Sequence, residues 1–156
     1  MNAIKKIHDC MKHQVISIRS SARIGEAVML MTKNRIGTLP VVDDAGILQG
    51  SVQLRDLLAL VMPDFVLLVE DFDFVGDFGA VESRKPPPEA LVRKVTEVMQ
   101  PPVSVEETSG LLRAFAVLHQ EGLLDLAVVD HAGRLVGIAS RVDIGISLLR
   151  GWYQPT

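Results

Sequence analysis

The chain has few cysteines, few aromatic residues and no long apolar run. It has one cysteine, Cys10, so no disulfide can form within it, and a reducing compartment, the cytoplasm, is the expected localisation. Aromatic residues make up 4% of the 156 residues, so a core must be built from aliphatic side chains. No apolar run approaches the roughly eighteen residues of a membrane span, and residues 1–9 do not form a signal peptide. We therefore expect a cytoplasmic globular protein without a membrane partner.

Excess positive charge and catalytic motifs are missing as well. The formal net charge is -3, whereas a nucleic-acid surface usually needs a basic face. None of the four histidines (His8, His13, His119 and His131) lies in a metal-binding motif. The sequence also contains no phosphate-binding Gly-Lys-Ser/Thr loop and no nucleophile elbow. We therefore predict no catalytic residue, no metal site, no required cofactor and no nucleic-acid partner.

An internal repeat is the strongest signal in the sequence. Residues 39–50 recur as residues 126–137 at a constant offset of 87 positions, and the match continues to Asp56 and Asp143. Nine of the eighteen aligned positions from 39 to 56 are identical, whereas chance would give roughly one at average residue usage. The chain therefore contains two copies of one structural unit.

The flanks of the two copies also agree. Before each copy, apolar residues recur at spacings of three and four residues, which predicts a helix. A short β-branched segment before each helix predicts a strand, and an Ala-Gly pair inside each copy predicts a hairpin turn. Each copy is therefore predicted to run strand, helix, strand, hairpin, strand, helix. The predicted first strands are 15–18 and 103–105, the turns are 45–46 and 132–133, and the helix caps are Ser20 or Ser21 and Thr108 or Ser109.

This order of elements resembles the CBS domain family. The resemblance rests on the phrase apolar-Pro-Val-Val-Asp-x-x-Gly-x-apolar-x-Gly at residues 39–50 and on the Asp that follows it. It covers about residues 7–60 and 93–150 and leaves 61–92 as a linker, so that residues 1–156 form a single Bateman module. It implies an α/β (α+β) fold in which each repeat is a small three-stranded mixed sheet with two helices, and the repeats pair about a pseudo-twofold axis.

The resemblance also implies a ligand. Many members of the family bind AMP, ADP, ATP or S-adenosylmethionine in clefts between the two repeats. The strand starts of one repeat hold the adenine, and a Ser/Thr-x-x-Asp at the last helix of the other repeat holds ribose and phosphate. Ser140 and Asp143 match that motif, and Arg141 could donate to a phosphate. The main cleft is therefore predicted to use Val15, Ile16, Gly37, Thr38, Leu39, Ile138, Ser140, Arg141 and Asp143.

A second, weaker cleft is implied on the other side of the axis. It keeps the ribose-binding carboxylate in Asp56, but Gln53 replaces the hydroxyl residue. Asp125 stands where its charge would repel a phosphate. We expect this cleft, formed by Gln53, Asp56, Val103, Leu124 and Asp125, to be weak or empty. A simpler interpretation stays open for both clefts, because Asp56 and Asp143 could merely cap helices.

The linker holds four of the five phenylalanines. Phe65, Leu68, Phe72 and Val75 are spaced as on one face of a helix, which predicts a helix over 63–79. A Pro-rich loop follows at 83–88. The Phe-rich helix could form a dimer or partner interface, or pack on its own domain. Its acidic residues lack the spacing of a divalent cation site.

Two functions from different classes follow, and an enzyme is a distant third. The first is a regulatory module that binds an adenine nucleotide, forms a homodimer and acts on an unidentified regulated protein. The second is a structural interaction module without a physiological ligand. In the family, modules often pair through their final helices, which here predicts contacts by Leu57, Leu58, Ile144, Leu148 and Leu149.

Overall fold

The structure, a computed structural model, describes residues 5–62, 66 and 76–156. These residues form two three-stranded sheets, ordered β1-β2-β3 and β4-β5-β6, each with one parallel and one antiparallel pair. The α+β fold of two mixed sheets with helices is the one that the family resemblance implies, and the prediction is confirmed. The strands are β1 (Ile18–Arg19), β2 (Thr38–Val42), β3 (Leu48–Gln53), β4 (Ser104–Glu106), β5 (Asp125–Val129) and β6 (Leu135–Ser140); the helices are α1 (Ile24–Asn34), α2 (Leu54–Leu58), α3 (Pro88–Leu91), α4 (Leu111–Glu121) and α5 (Arg141–Leu149).

The Asp-x-x-Gly that occurs in both copies forms the turn of each hairpin. Asp43 Oδ1 accepts hydrogen bonds from the backbone N–H groups of Ala45 and Ile47, both at 2.9 Å. Asp130 makes the same two bonds in the second hairpin, again at 2.9 Å. Gly46 follows with a φ of 83°, which favours glycine. The shared Asp-x-x-Gly therefore builds the turn rather than a ligand site.

The first strands and the helix caps differ in detail from the prediction. Strand β1 covers only Ile18–Arg19, and β4 is shifted one residue past the predicted start. Helix α1 starts after Arg23 rather than after a serine, because the Glu26 carboxylate accepts from the Arg23 N–H at 2.8 Å and satisfies that end. Helix α4 starts after Gly110, with no side-chain cap.

The leading segments of the two repeats, residues 7–12 and 95–100, each cross over and pack on the other repeat, so we call them crossing segments. Ile7 is completely buried in the core of the second repeat, and Val95 in the core of the first. Lys12 exchanges two backbone hydrogen bonds with Ile138 of β6, at 2.8 and 3.0 Å. Gln100 makes the equivalent pair with Ser51 of β3, at 2.8 and 3.1 Å. The two sequence repeats are therefore tied together by an exchange of their leading segments.

Reciprocal contacts define the pseudo-twofold axis. Leu48 N–H donates to Gly133 O at 3.1 Å, and its equivalent, Leu135 N–H, donates to Gly46 O at 3.0 Å. A twofold interface requires this reciprocity: if one residue contacts a second across the axis, their two equivalents must contact each other in the same way. The two hairpins thus join edge to edge.

Each repeat has its own aliphatic core, as the shortage of aromatic residues requires. The first centres on Leu39, Val41 and Val52, and the second on Leu126, Val128 and Ala139. Ile144 has no exposed surface, so it stabilises the second core and is not available to a partner. Leu57 and Leu148 are partly buried against the two cores, whereas Leu58 and Leu149 are about half exposed.

The linker is described only in its second half. The predicted Phe-rich helix over 63–79 falls mostly outside the described residues. From Gly79 the chain forms a 3-10 turn to Ser83, an irregular stretch, and the short helix α3. In the described part of the chain, no helix combines the length and the apolar character that crossing a membrane would require.

Candidate functional site

A cleft of about 300 Å³ lies between the two repeats. One wall comes from the stretch before β1 and from the turn that joins α1 to β2. The other wall comes from the second sheet, at the start of β5 and within β6. The lining residues are Lys12, Gln14, Val15, Ile16, Arg35, Ile36, Gly37, Thr38, Asp125 and Ile138.

The structure brings five of the nine residues predicted for the main cleft into this lining: Val15, Ile16, Gly37, Thr38 and Ile138. Leu39 follows Thr38 on the opposite face of β2 and is completely buried in the first core. The other three, Ser140, Arg141 and Asp143, lie at the start of α5. Ser140 is the register partner of Asp125, so this helix start adjoins the cleft wall.

Ser140 and Asp143 form a reciprocal helix cap. Asp143 N–H donates to Ser140 Oγ at 3.0 Å, and Ser140 N–H donates to Asp143 Oδ2 at 3.1 Å. The capping interpretation is therefore correct as far as it goes. It uses one carboxylate oxygen, and Asp143 Oδ1 has no hydrogen-bond partner among the described residues. Arg141 donates to Leu123 O at 2.9 Å, which fixes its guanidinium near the start of β5.

The second cleft is closed. The space between Val103, Asp125 and the first sheet is only about 10 Å³. Asp56 Oδ2 accepts from Gln53 N–H at 2.7 Å, and Asp56 Oδ1 accepts from Gln100 Nε2 at 2.8 Å. Both oxygens of this carboxylate are thus engaged within the chain. Leu124, also predicted for this cleft, is 67% exposed and points away from the space.

Asp125 lies between the two clefts. Its Oδ2 accepts a hydrogen bond from Thr38 Oγ1 at 3.0 Å, and these two residues are equivalents at the offset of 87. They therefore meet on the pseudo-twofold axis. The sequence placed Asp125 in the second cleft alone, whereas the structure places it in the walls of both.

Two cationic residues of the cleft lining were missed from the sequence. Lys12 belongs to the crossing segment, and Arg35 ends helix α1 with a φ of 53°. Their structural equivalents in the second repeat are uncharged: Gln100, which pairs with Ser51 of β3 as Lys12 pairs with Ile138 of β6, and Gly122. A residue-by-residue comparison of the two copies would have drawn attention to both positions, because each is charged in the first repeat and uncharged in the second.

The cysteine beside the helix start is not a reactive group. Burial raises the pKa of the Cys10 thiol, and the charges of Asp143 and Asp9 raise it further, although a hydrogen bond with Ser147 works against them. The thiol therefore stays protonated at neutral pH, and the thiolate is the nucleophilic form. Within the described ranges, no cluster of three or more His, Cys, Asp or Glu side chains is arranged to hold a metal ion.

Comparison with known proteins places the chain in a family. The family model named CBS domain matches residues 4–63 and 95–145, which is well over half of the chain. The chain therefore belongs to the CBS domain family and contains a tandem pair of these domains.

Particular relatives extend this result. A CBS domain-containing protein of Dictyostelium discoideum is 29% identical over 150 residues, which cover 96% of this chain and 94% of that protein. The crystal structure of CBSX2 in complex with AMP, a protein of Arabidopsis thaliana, is 26% identical with a TM-score of 0.68. That match covers 93% of this chain and 96% of the other.

Other relatives are longer than this chain. An uncharacterized 33.4 kDa protein of Thermofilum pendens is 32% identical over 133 residues, which cover 85% of this chain but only 41% of that protein. The tandem pair thus occurs both as nearly a whole protein and as part of a larger one.

Proposed function

We propose that this chain is a regulatory module that binds one adenosyl ligand, such as AMP, ADP, ATP or S-adenosylmethionine, in the cleft beside Asp143. The observation that carries the proposal is the open cleft between the repeats, adjoined by a carboxylate with one oxygen unpartnered among the described residues. Its volume of about 300 Å³ is at the lower end of the range for small-molecule sites. The AMP complex of CBSX2, 26% identical over nearly the whole chain, supports the ligand class.

The two Asp residues would then serve different purposes. The free oxygen of Asp143 can accept from ribose hydroxyls while the other oxygen keeps capping α5. Both oxygens of Asp56 already accept hydrogen bonds, from Gln53 N–H and from Gln100 Nε2. One ligand per chain follows from this difference.

Calorimetric titration with AMP tests the proposal, using Asp143→Ala and the matched control Asp56→Ala. Both changes remove a carboxylate that caps a helix, so a loss of stability common to both variants does not contribute to the difference between their affinities for AMP. We expect Asp143→Ala to weaken binding about tenfold or more, the cost of a hydrogen bond to a charged group, and Asp56→Ala to leave the affinity nearly unchanged. Equal losses, or no binding of AMP, ADP, ATP or S-adenosylmethionine to the wild type, would contradict it.

We also propose that the module forms a homodimer through its outer helical faces. Leu58, Leu112, Val142 and Leu149 are between 51% and 71% exposed, although they lie on helices of a well-packed core. Burying these apolar side chains against a second copy would remove them from water, which favours association. Sedimentation of wild type and Leu112→Glu should show a dimer that the substitution dissociates; the solvated control is Glu121→Gln.

An interaction module without a ligand is the second candidate. It is favoured by the apolar groove of about 660 Å³ between α1, α2 and the loop at 84–88. The two candidates differ in the titration above, because an interaction module would dimerise without binding any of the four ligands.

A further inference from the structure

We propose that the open cleft selects adenosine 5′-phosphates over uncharged or cationic adenosyl compounds, and that Lys12 and Arg35 are the residues that do so. This inference rests on the proposed function, because it concerns the ligand of the same cleft. It narrows that ligand from any adenosyl compound to one that carries a negatively charged phosphate.

The charges of the lining support this selectivity. Lys12 and Arg35 are its two cations, and neither the Lys12 ammonium nor the Arg35 guanidinium donates a hydrogen bond to any of the described residues. Asp125 is its one acid, and its Oδ2 already accepts from Thr38. The lining therefore carries an excess of positive charge with free donors, which is the environment that a phosphate oxygen needs.

Lys12 is exposed, but its backbone anchoring fixes the point from which its side chain extends. Its backbone N–H and C=O are both paired with Ile138, which itself lines the cleft. The root of the side chain is thus fixed to the wall. Only the flexible stem remains free to follow a phosphate.

The backbone of Arg35 gives an independent argument. Among the described residues it is the one non-glycine residue with a positive φ, at 53° with ψ at 48°. Its equivalent at the end of α4 is Gly122, with a φ of 63° and a ψ of 35°. Glycine adopts this conformation without the clash that a Cβ causes. The first repeat therefore accepts an unfavourable backbone position in order to place a guanidinium on the cleft.

The closed cleft provides the internal comparison. At the two positions equivalent to Lys12 and Arg35 it has an amide and a glycine, and the amide is bound to Asp56. Two uncharged residues therefore stand where the open cleft has two cations. The charge difference coincides with the difference in volume, as expected if the cations serve the ligand of the open cleft.

Selectivity is measured as the ratio of the dissociation constants for adenosine and AMP. We expect AMP to bind about tenfold more tightly or better than adenosine, since phosphate adds charge-assisted hydrogen bonds. S-adenosylmethionine, which carries a positive sulfonium, should bind more weakly than AMP. Raising the salt concentration should reduce the ratio, because exposed charges are screened.

Arg35→Gly is the decisive variant, because it copies the second repeat and should not impair folding. Its melting temperature should equal or exceed that of the wild type, while its affinity for AMP falls about fivefold and that for adenosine stays unchanged. Lys12→Gln, which also copies the second repeat, should act in the same direction. Lys33→Ala, on the last turn of the same helix but outside the lining, is the matched control for lost charge.

The outcomes separate this inference from the proposed function. Equal affinities for AMP and adenosine would overturn the selectivity while leaving the module as an adenosyl-ligand binder. Binding of none of these compounds would overturn the proposed function itself. Equal losses in Arg35→Gly and Lys33→Ala would show that overall charge, and not these two residues, governs binding.

Discussion

The two clefts are built from equivalent positions, yet one is open at about 300 Å³ and the other closed at about 10 Å³. The two copies carry different residues at four of these positions. The open cleft has Lys12, Arg35, Gly37 and Thr38. The closed cleft has Gln100, Gly122, Leu124 and Asp125 at the equivalent positions.

The positions that are identical in the two copies lie elsewhere in the fold, away from the lining of the open cleft. They make the hairpin turns, the buried strand faces and the close approach of the crossing segments, as in Asp43 and Asp130 or Gly50 and Gly137. Two copies can therefore share a fold and differ in their clefts, because the residues that fold the unit are not those that line the open cleft. Comparing equivalent residues tests this separation directly.

The largest effect is expected where a crossing segment passes a glycine. A Cβ on Gly50 would collide with the backbone O of Gln100, which cannot move without breaking its bonds to Ser51. The nearest atoms to a Cβ on Gly137 belong to the side chain of Met11, which is buried but more flexible than a backbone. Overpacking of this kind costs roughly 1–3 kcal/mol, or more against a backbone. Urea unfolding should show a clearly larger loss for Gly50→Ala than for Gly137→Ala; the reverse order would contradict it.

The two helix ends should differ by somewhat less. Gly122→Ala places a Cβ in a left-handed conformation at a cost of about 1–2 kcal/mol, although none of the described residues crowds that position. The mirror change, Arg35→Gly, should leave the stability unchanged or raise it. Thermal unfolding of both variants measures this, and a destabilised Arg35→Gly would mean that the arginine side chain holds the fold.

The caps of the last helices give the next comparison. Ser140→Ala removes the hydroxyl oxygen that accepts a hydrogen bond from Asp143 N–H, and it should lower the free energy of unfolding by about 1 kcal/mol. Gln53→Ala should cost less, because the Gln53 side chain makes no such bond to α2. Denaturant midpoints of the two variants check this prediction. Equal shifts would show that the two helix starts are more alike than their hydrogen bonds indicate.

The smallest effect concerns pH and a hairpin turn. The backbone N–H of Arg134, followed by its side chain and the N–H of Ala132, holds the pKa of Asp130 below its ordinary value of 3.8. The stabilising contribution is therefore present above pH 3.8 and lost as the pH falls through the lower, folded-state pKa. Asp130→Asn should be less stable than wild type at pH 6, and the difference should narrow at the acid end of a series of urea titrations. A constant difference would contradict it.

The repeat made the fold predictable to a large extent. The Asp-x-x-Gly turns and the apolar spacings before Ile24 and Leu111 are local signals, so the order of elements and the two sheets could be derived from them. The exchange of leading segments could not, because Ile7 and Val95 are equally apolar and nothing local says which core each one enters.

The candidate site was predictable only in part, for a similar reason. Positions such as Val15 and Thr38 came from the family resemblance and line the cleft. Lys12 and Arg35 line it as well, but their importance depends on which repeat the crossing segment reaches and on one backbone angle. The closing contact between Gln100 and Asp56 spans 44 residues and has no local signature.

The exchange of leading segments also limits the order in which the chain can fold during its synthesis on the ribosome. Residue 12 must wait for its partner on β6, residue 138, which is synthesised 126 residues later. At about 5–20 residues per second, that is a delay of roughly 6–25 s. Strands β1–β3 can form early, but their core stays incomplete until Val95 arrives. The open cleft therefore cannot form until residue 138 has been synthesised, although most of its lining residues lie between positions 12 and 38.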